Sequence, residues 1–205
     1  MPYRPTERTR ARLAAARERI VDAALDQLAE GGYASASVVS VARRAGVATG
    51  TVYRHFPSKA DLFAEVFRRA SQREVDVLRA MTDRGEPVSH RLAAWVEAFV
   101  RRALAEPVRA YALIAEPVDP AVEAERLTFR RAYADLFERA LHDGVERREL
   151  PPLDARLTAA AIVGALAEAL VGPLQRRDAG ADALVAGLQT FVLRSVGTAH
   201  EHADA

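Results

Sequence analysis

Residues 37–59 read SVVSVARRAGVATGTVYRHFPSK. Val38, Val41, Ala42 and Ala45 recur at i, i+3, i+4 and i+7, which is one apolar face of a helix. Ser37 precedes that face, where its hydroxyl can cap free backbone N–H groups. Gly46 follows it, where a helix C-cap favours a left-handed backbone. The pattern restarts at Thr49-Gly50-Thr51-Val52-Tyr53-Arg54-His55-Phe56. Val52 and Phe56 lie one turn apart and face a core, which leaves Thr49, Thr51, Tyr53 and His55 to face outward. Two short helices joined by a tight turn, the second polar on its outer face, form a helix-turn-helix. The second helix of such a pair fits a DNA major groove.

From about Arg17 to Phe67 the chain resembles the N-terminal DNA-binding domain of the TetR family of bacterial transcriptional regulators. The ordered run Ala45-Gly46-Val47, Gly50-Thr51-Val52-Tyr53, His55-Phe56, Ser58-Lys59 carries the resemblance. An amphipathic first helix and Gly31-Gly32-Tyr33 precede it, and Phe56-Pro57-Ser58-Lys59 opens a long fourth helix. Ala48 departs from the serine common in relatives. Alanine caps a helix poorly, at a cost of about 1 kcal/mol, so Thr49 is the alternative cap. The likeness covers roughly the first third of the chain. The rest matches the family only in size and helical character.

Net charge is +1 over 205 residues, but it is unevenly placed. Residues 1–60 hold ten Lys/Arg and five Asp/Glu, a net +5, and the remainder is −4. A basic head on an acidic body suits a DNA-binding module joined to a regulatory one. No apolar run reaches the ~18 residues of a membrane span. The N-terminus lacks the hydrophobic segment of a secretory signal. Cysteine is absent, which excludes disulfides and thiolate chemistry and fits a cytoplasmic protein.

Residues 1–14, rich in arginine and lacking an apolar period, read as a flexible basic arm. Arg4, Arg8, Arg10 and Arg12 could reach phosphates or an adjacent groove, or the arm could be an idle tail. Residues 15–60 read as the helix-turn-helix domain and 61–205 as a helical ligand-binding and dimerisation domain. The first helix carries Val21, Ala24, Leu25 and Leu28 and stops at Gly31-Gly32. The fourth, capped by Ser58 with Asp61 three residues on, carries Leu62, Phe63, Val66, Phe67 and Ala70. A turn at Asp83–Pro87 leads to a helix with Leu92, Trp95, Val96 and Phe99. Pro107 ends it, a short helix near 109–115 follows, and Glu116-Pro117-Val118-Asp119-Pro120 breaks the chain again. The next helix carries Phe129, Tyr133, Leu136 and Phe137 and stops near Asp143-Gly144. Pro151-Pro152 and a cap at Asp154 open a helix with Val163, Leu166, Leu170, Val171 and Leu174. The last helix carries Leu184, Leu188, Phe191 and Val192. The reading is all-α with about nine helices, the number found in TetR-like proteins.

For DNA, the candidate residues are Ser37, Arg44, Thr49, Gly50, Thr51, Tyr53, His55 and Lys59. The resemblance implies that Tyr53, His55 and Lys59 contact phosphates. A hydroxyl, an imidazole N–H and an ammonium can each bond a phosphate oxygen, which fixes position without reading sequence. A half-buried core position is the ordinary alternative for Tyr53. Thr49, Gly50 and Thr51 open the second helix of the motif, within reach of base edges. Arg44 suits a phosphate or guanine, and equally a solvated surface.

Trp95, Phe99, Tyr111, Phe129, Tyr133 and Phe137 lie on three successive helices of the body. Each alone reads as ordinary core. As a group they can line a cavity between bundle helices, with the tyrosine hydroxyls as orienting groups. TetR-like proteins bind effectors between helices five and eight, which raises that reading. Arg130 or Glu97 could add charge there or lie on the surface. The last two helices pair with their copies in TetR-like dimers, which marks Val163, Leu166, Leu170, Leu188 and Phe191 as dimer-interface candidates; intrachain core is the alternative. A dimer also doubles the few base pairs that one short helix reads.

No HExxH, GxSxG, Walker loop or GxGxxG occurs, and His55 has no evident catalytic or metal-binding partner. His200-Glu201-His202 reads as tail rather than metal site. No catalytic residue, metal or cofactor is expected. The sequence reads as a homodimeric, ligand-responsive repressor. It would bind a palindromic double-stranded operator and leave it when a small apolar effector tilts the helix beginning near Lys59. An architectural DNA-binding protein without an effector, or an enzyme, are the other classes considered.

Overall fold

The computed structural model describes residues 6–81, 85–176 and 180–197. Its helices are α1 (Glu7–Ser35), α2 (Val38–Ala45), α3 (Thr49–His55), α4 (Lys59–Ala80), α5 (Val88–Ala105), α6 (Pro107–Ile114), α7 (Pro120–Glu146), α8 (Ala155–Arg176) and α9 (Ala181–Ser195). No strand occurs among the described residues. The all-α expectation therefore holds.

Local chemistry sets most helix ends. The Ser37 hydroxyl accepts from Ser40 N at the start of α2, and Gly46 closes it at φ 65°. Ser58 Oγ accepts from Asp61 N at 3.0 Å and donates to the Asp61 carboxylate at 2.7 Å. Asp154 Oδ1 accepts from Leu157 N at 3.0 Å. Pro107 and Pro120 occupy first-turn positions of α6 and α7, where a missing N–H breaks no bond.

Four expectations at helix ends need correction. α1 begins at Glu7, so residues 7–14 are helix rather than flexible arm; Thr6 caps them and their alanines favour helix. Residues 1–5 lie outside the described residues. α1 also continues past the paired glycines to Ser35, with a break at Gly32 (φ 75°, ψ −174°). At α3, Ala48 holds the cap position without a side-chain cap bond, and Thr49 is the first helical residue. α7 passes through Gly144 to Glu146, and a Cβ on Gly144 would meet Leu150 and Val88 at 2.9 Å. That glycine thus permits close packing rather than a stop.

Two apolar cores organise the chain. The first joins Ile20, Val21, Leu28, Val41, Val52 and Phe56 to Leu62, Phe63, Val66 and Phe67 of α4. Ala112 of α6 and Val122 of α7 also belong to it. The second gathers Val75 and Leu78 of α4 with α5, α7, α8 and α9. The head's core thus extends along α4 to Phe67, beyond residue 60. The principal neighbours are α4 with α7, α7 with α8, α5 with α9, and α1 with α6. Against the sequence expectation that no segment has the length and character of a membrane span, α8 is long and apolar enough by length and composition, with mean hydropathy 1.8. Ala159, Ile162, Leu166, Leu170 and Leu174 turn one side of it into the second core.

Candidate DNA-binding face and ligand cavity

The head presents α3 outward because Val52 alone of its residues is buried. Tyr53 is 49% exposed, and Thr49 and Thr51 are half-buried beside the exposed Gly50. A Cβ on Gly50 would meet nothing within 4 Å, so its backbone faces open space. This is an open polar surface that can approach a duplex.

Of the other DNA candidates, Ser37, Arg44 and Lys59 have partners within the chain, while His55 is enclosed. Ser37 is exposed and caps α2. Arg44 forms a fork with Glu30, Nη1 and Nη2 donating at 2.8 and 2.7 Å. That hydrogen bond to Glu30 raises the Arg44 pKa, with the Glu30 and Asp26 charges adding to it. Lys59 Nζ donates to the Tyr33 carbonyl at 2.9 Å and lies 4.2 Å from the Tyr33 ring centroid. His55 Nε2 is buried without a partner. Burial, then repulsion by Arg17 and Arg54, holds His55 below the usual imidazole range.

Charged contacts tie the head to α4. Glu65 accepts from Arg17 at 3.3 Å, Arg68 at 2.7 Å and Arg69 at 2.8 Å. Arg69 also grips both oxygens of Glu18 on α1. Burial pushes the Glu65 pKa up, but the hydrogen bonds from Arg68, Arg69 and Arg17 outweigh it and bring it to about 2.

A cavity of about 100 Å³ opens in the body. Trp95, Phe99, Phe129, Tyr133 and Phe137 line it together with Leu113, Ile114, Val163 and Leu166. Edge-on ring contacts join Trp95 to Phe137 at 5.3 Å and Phe99 to Tyr133 at 6.0 Å. Trp95 Nε1 is buried without a partner. Burial, and next the charge of Glu74, push the Tyr133 pKa up against the opposing effect of Arg102, so its hydroxyl stays protonated. Glu74, Arg102, Glu106 and Arg109 also line the cavity and pair among themselves. Arg126 and Arg130 complete the lining.

Tyr111 lies elsewhere. It lines a second pocket of about 240 Å³ with Gly31, Gly32, Pro107, Glu116 and Leu174, and its hydroxyl accepts from Gln175 Nε2 at 2.9 Å. Glu97 is absent from the cavity lining and pairs with Arg101 at 2.7 Å on the surface. The residues that sequence reasoning missed are Glu116, Asp119 and Arg126, which connect head and body. The break at 116–120 was visible, but not that its acids reach back to Tyr33.

The dimer candidates divide. Leu166, Leu170 and Leu188 are buried in the chain's own core, the alternative considered for them. α8 packs against α7 and α6, and α9 lies along α5. Val163 lines the cavity, while Phe191 is 48% exposed. The exposed residues of α8 and α9 include Leu157, Ala161, Gly164 and Glu168 on α8 and Gly187, Phe191 and Arg194 on α9. No cluster of potential metal ligands occurs among the described residues. His200, Glu201 and His202 lie outside them.

Comparison with known proteins agrees with this architecture. The family model for bacterial regulatory proteins of the tetR family matches residues 20–66, and that for the tetracyclin repressor-like C-terminal domain matches residues 85–170. The transcriptional repressor KstR of Mycolicibacterium smegmatis is 46% identical over 68 residues, which cover 33% of this chain and 31% of that protein. The match thus spans about a third of the length of that relative. The transcriptional regulator AcrR of Shigella flexneri is 28% identical over 66% of each chain. The fatty acid degradation regulator FadR of Bacillus halodurans superposes with a TM-score of 0.75 at 27% identity, over 86% of this chain and 94% of that one. FadR of Bacillus subtilis, solved with stearoyl-CoA, superposes with a TM-score of 0.73 at 23% identity, over 89% and 99% of the two chains. With both family models matched in order along the nine helices of the described residues, the chain belongs to the TetR family of bacterial transcriptional regulators.

Proposed function

We propose that this protein is a ligand-responsive repressor that acts as a homodimer on a palindromic operator in the cytoplasm. One observation carries the reading. The exposed polar face of α3 belongs to the core that takes in Leu62, Phe63, Val66 and Phe67 of α4, while Ser71, Glu74 and Leu78 of the same helix line the aromatic cavity. Residues 6–60 supply the DNA-binding head, and the body supplies the ligand site and the dimer face. Tyr53 and Lys59 position the head on phosphates, while Thr49, Gly50 and Thr51 approach base edges. The cavity takes a mainly apolar small molecule. At about 100 Å³ it is no larger than cavities that hold a single aromatic ring, so a bigger ligand must displace lining side chains. Such a ligand alters DNA affinity only by binding the two arrangements of the heads unequally.

The cavity favours this reading over an architectural DNA binder, which needs none. Selection from a random DNA pool tests it. The purified dimer should enrich a two-fold symmetric site with half-sites about one helical turn apart, or a multiple of that. Tyr53→Phe should weaken binding to all sequences alike, and Thr51→Ala should relax preference at one position per half-site. Enrichment of no symmetric site, together with wild-type binding by the double variant, would reject the assignment of α3.

A further inference from the structure

Tyr33 is the point where head and body are fastened together. The break at Gly32 interrupts the α1 hydrogen-bond ladder and frees two amides. The N–H groups of Tyr33 and Ala34 donate to the Glu116 carboxylate at 2.7 and 2.9 Å. Glu116 is buried, and a Cβ on Gly32 would meet its Oε2 at 2.8 Å. This carboxylate acts as an N-cap delivered from a distant part of the chain, in a charge-assisted form. The Tyr33 hydroxyl donates to Asp119, and the Tyr33 carbonyl accepts from Lys59 on α4.

Arg126 holds the other side of Glu116. Its Nη2 donates to the carbonyls of Glu116 at 2.6 Å and Ala112 at 3.1 Å. Its Nε donates to the Leu113 carbonyl at 3.1 Å, and its Nη1 pairs with Glu123. The guanidinium thereby closes the C-terminal carbonyls of α6. It also lies 5.9 Å from the Phe67 ring centroid on α4. Arg126 is only 8% exposed, yet it lines the main cavity. Beside it Arg130 donates to the Ile114 carbonyl at 3.3 Å and lines the cavity too. Arg126 and Arg130 thus line the cavity bound mostly to neutral carbonyls, whereas Arg102 and Arg109, which also line it, are paired with Glu74 and Glu106. A ligand anion would be a stronger acceptor than any of those carbonyls.

We propose that Arg126 is a positioning residue that senses an anionic group on an apolar ligand and passes its presence to α1 through Glu116. The anion draws the guanidinium away from the carbonyls of Ala112, Leu113 and Glu116. The connection between α6 and α7 then loses its anchor, and the Glu116 carboxylate loosens its hold on Tyr33 and Ala34. This rests on the effector reading above and adds the ligand's charge and the path from cavity to head. A neutral ligand of the same shape occupies the cavity without opening that path.

Decanoate and 1-decanol test this, since they differ only at one end of the same chain. Binding is followed by calorimetry, and amide hydrogen exchange is measured in the full-length protein. Saturating decanoate should speed exchange at Tyr33 and Ala34 by about tenfold or more, while Ala42 in α2 stays unchanged. Decanol at equal occupancy should leave all three unchanged. In Arg126→Gln, Tyr33 and Ala34 should exchange fast without ligand. Decanoate should bind that variant about tenfold more weakly, and decanol as in wild type. Arg126→Lys keeps the charge but not the planar fork, and serves if the glutamine variant does not fold. It should keep decanoate binding and lose the exchange response. Decanoate bound with no change at Tyr33 and Ala34, or binding only of decanol, would overturn the sensor while leaving the effector reading intact. Binding of neither compound would count against the effector reading and the sensor together.

Discussion

Glu65 shows how much of the attachment of the head to α4 rests on one side chain. Three arginines converge on it, Arg17 from α1 and Arg68 and Arg69 from its own helix. Its folded pKa of about 2 lies below the ordinary 4.5. A depressed carboxylate stabilises the fold fully above its unfolded pKa, and that contribution is lost as pH falls from 4.5 through about 2. Glu65→Gln should therefore cost about 1.5–3 kcal/mol at neutral pH, read by urea unfolding. The gap between wild type and variant should shrink toward the acid end of that window; a gap independent of pH would show that the ion cluster is incidental. The residues of α3 were legible in the sequence because a short amphipathic helix leaves few choices of outward face. Arg44 and His55 were less so. Their types suit DNA, but Glu30 holds one and burial encloses the other, and both surroundings come from tertiary structure.

α8 and α9 illustrate what periodicity reveals and what it omits. The stripe of Leu166, Leu170 and Leu174 was readable, and it is a core stripe of the single chain. The other face carries Gly164 and Gly187 among Leu157, Glu168, Phe191 and Arg194, and of these the sequence marks Gly164 as a place where helices can approach closely. A Cβ on either glycine would meet nothing within 4 Å, so helices of a second copy can approach closely there. Phe191 and Leu157, 48% and 67% exposed, flank that surface with apolar area. Gly164→Arg should leave the monomer folded and helical while sedimentation shifts from dimer to monomer. An unchanged dimer would place the interface on another face. The helix count and most caps were legible because Ser, Asp, Pro and Gly act locally. The extension of α1 to Glu7 and the break at Gly32 were not, since alanine propensity and the pull of Glu116 compete with the pattern of arginines and glycines.

The chain as a whole is two cores bridged by α4, with α6 and the start of α7 docked on the head. That arrangement lets a change beside Phe129 and Arg126 bear on α1 and on the direction in which α3 points. Coupling of this kind is reciprocal, and each partner must alter the other's affinity by the same factor. The most direct measurement titrates the dimer into a fluorescent DNA site taken from the random-pool selection. It is done with and without a saturating cavity ligand, found by screening the fluorescence of Trp95, the only tryptophan. The ligand should weaken DNA binding by about fivefold or more, a coupling of roughly 1–3 kcal/mol, and DNA should weaken the ligand equally. Phe129→Ala should bind DNA nearly as wild type does when free, and need far more ligand for release. A ligand held in the cavity of the DNA complex with both affinities unchanged would contradict the account.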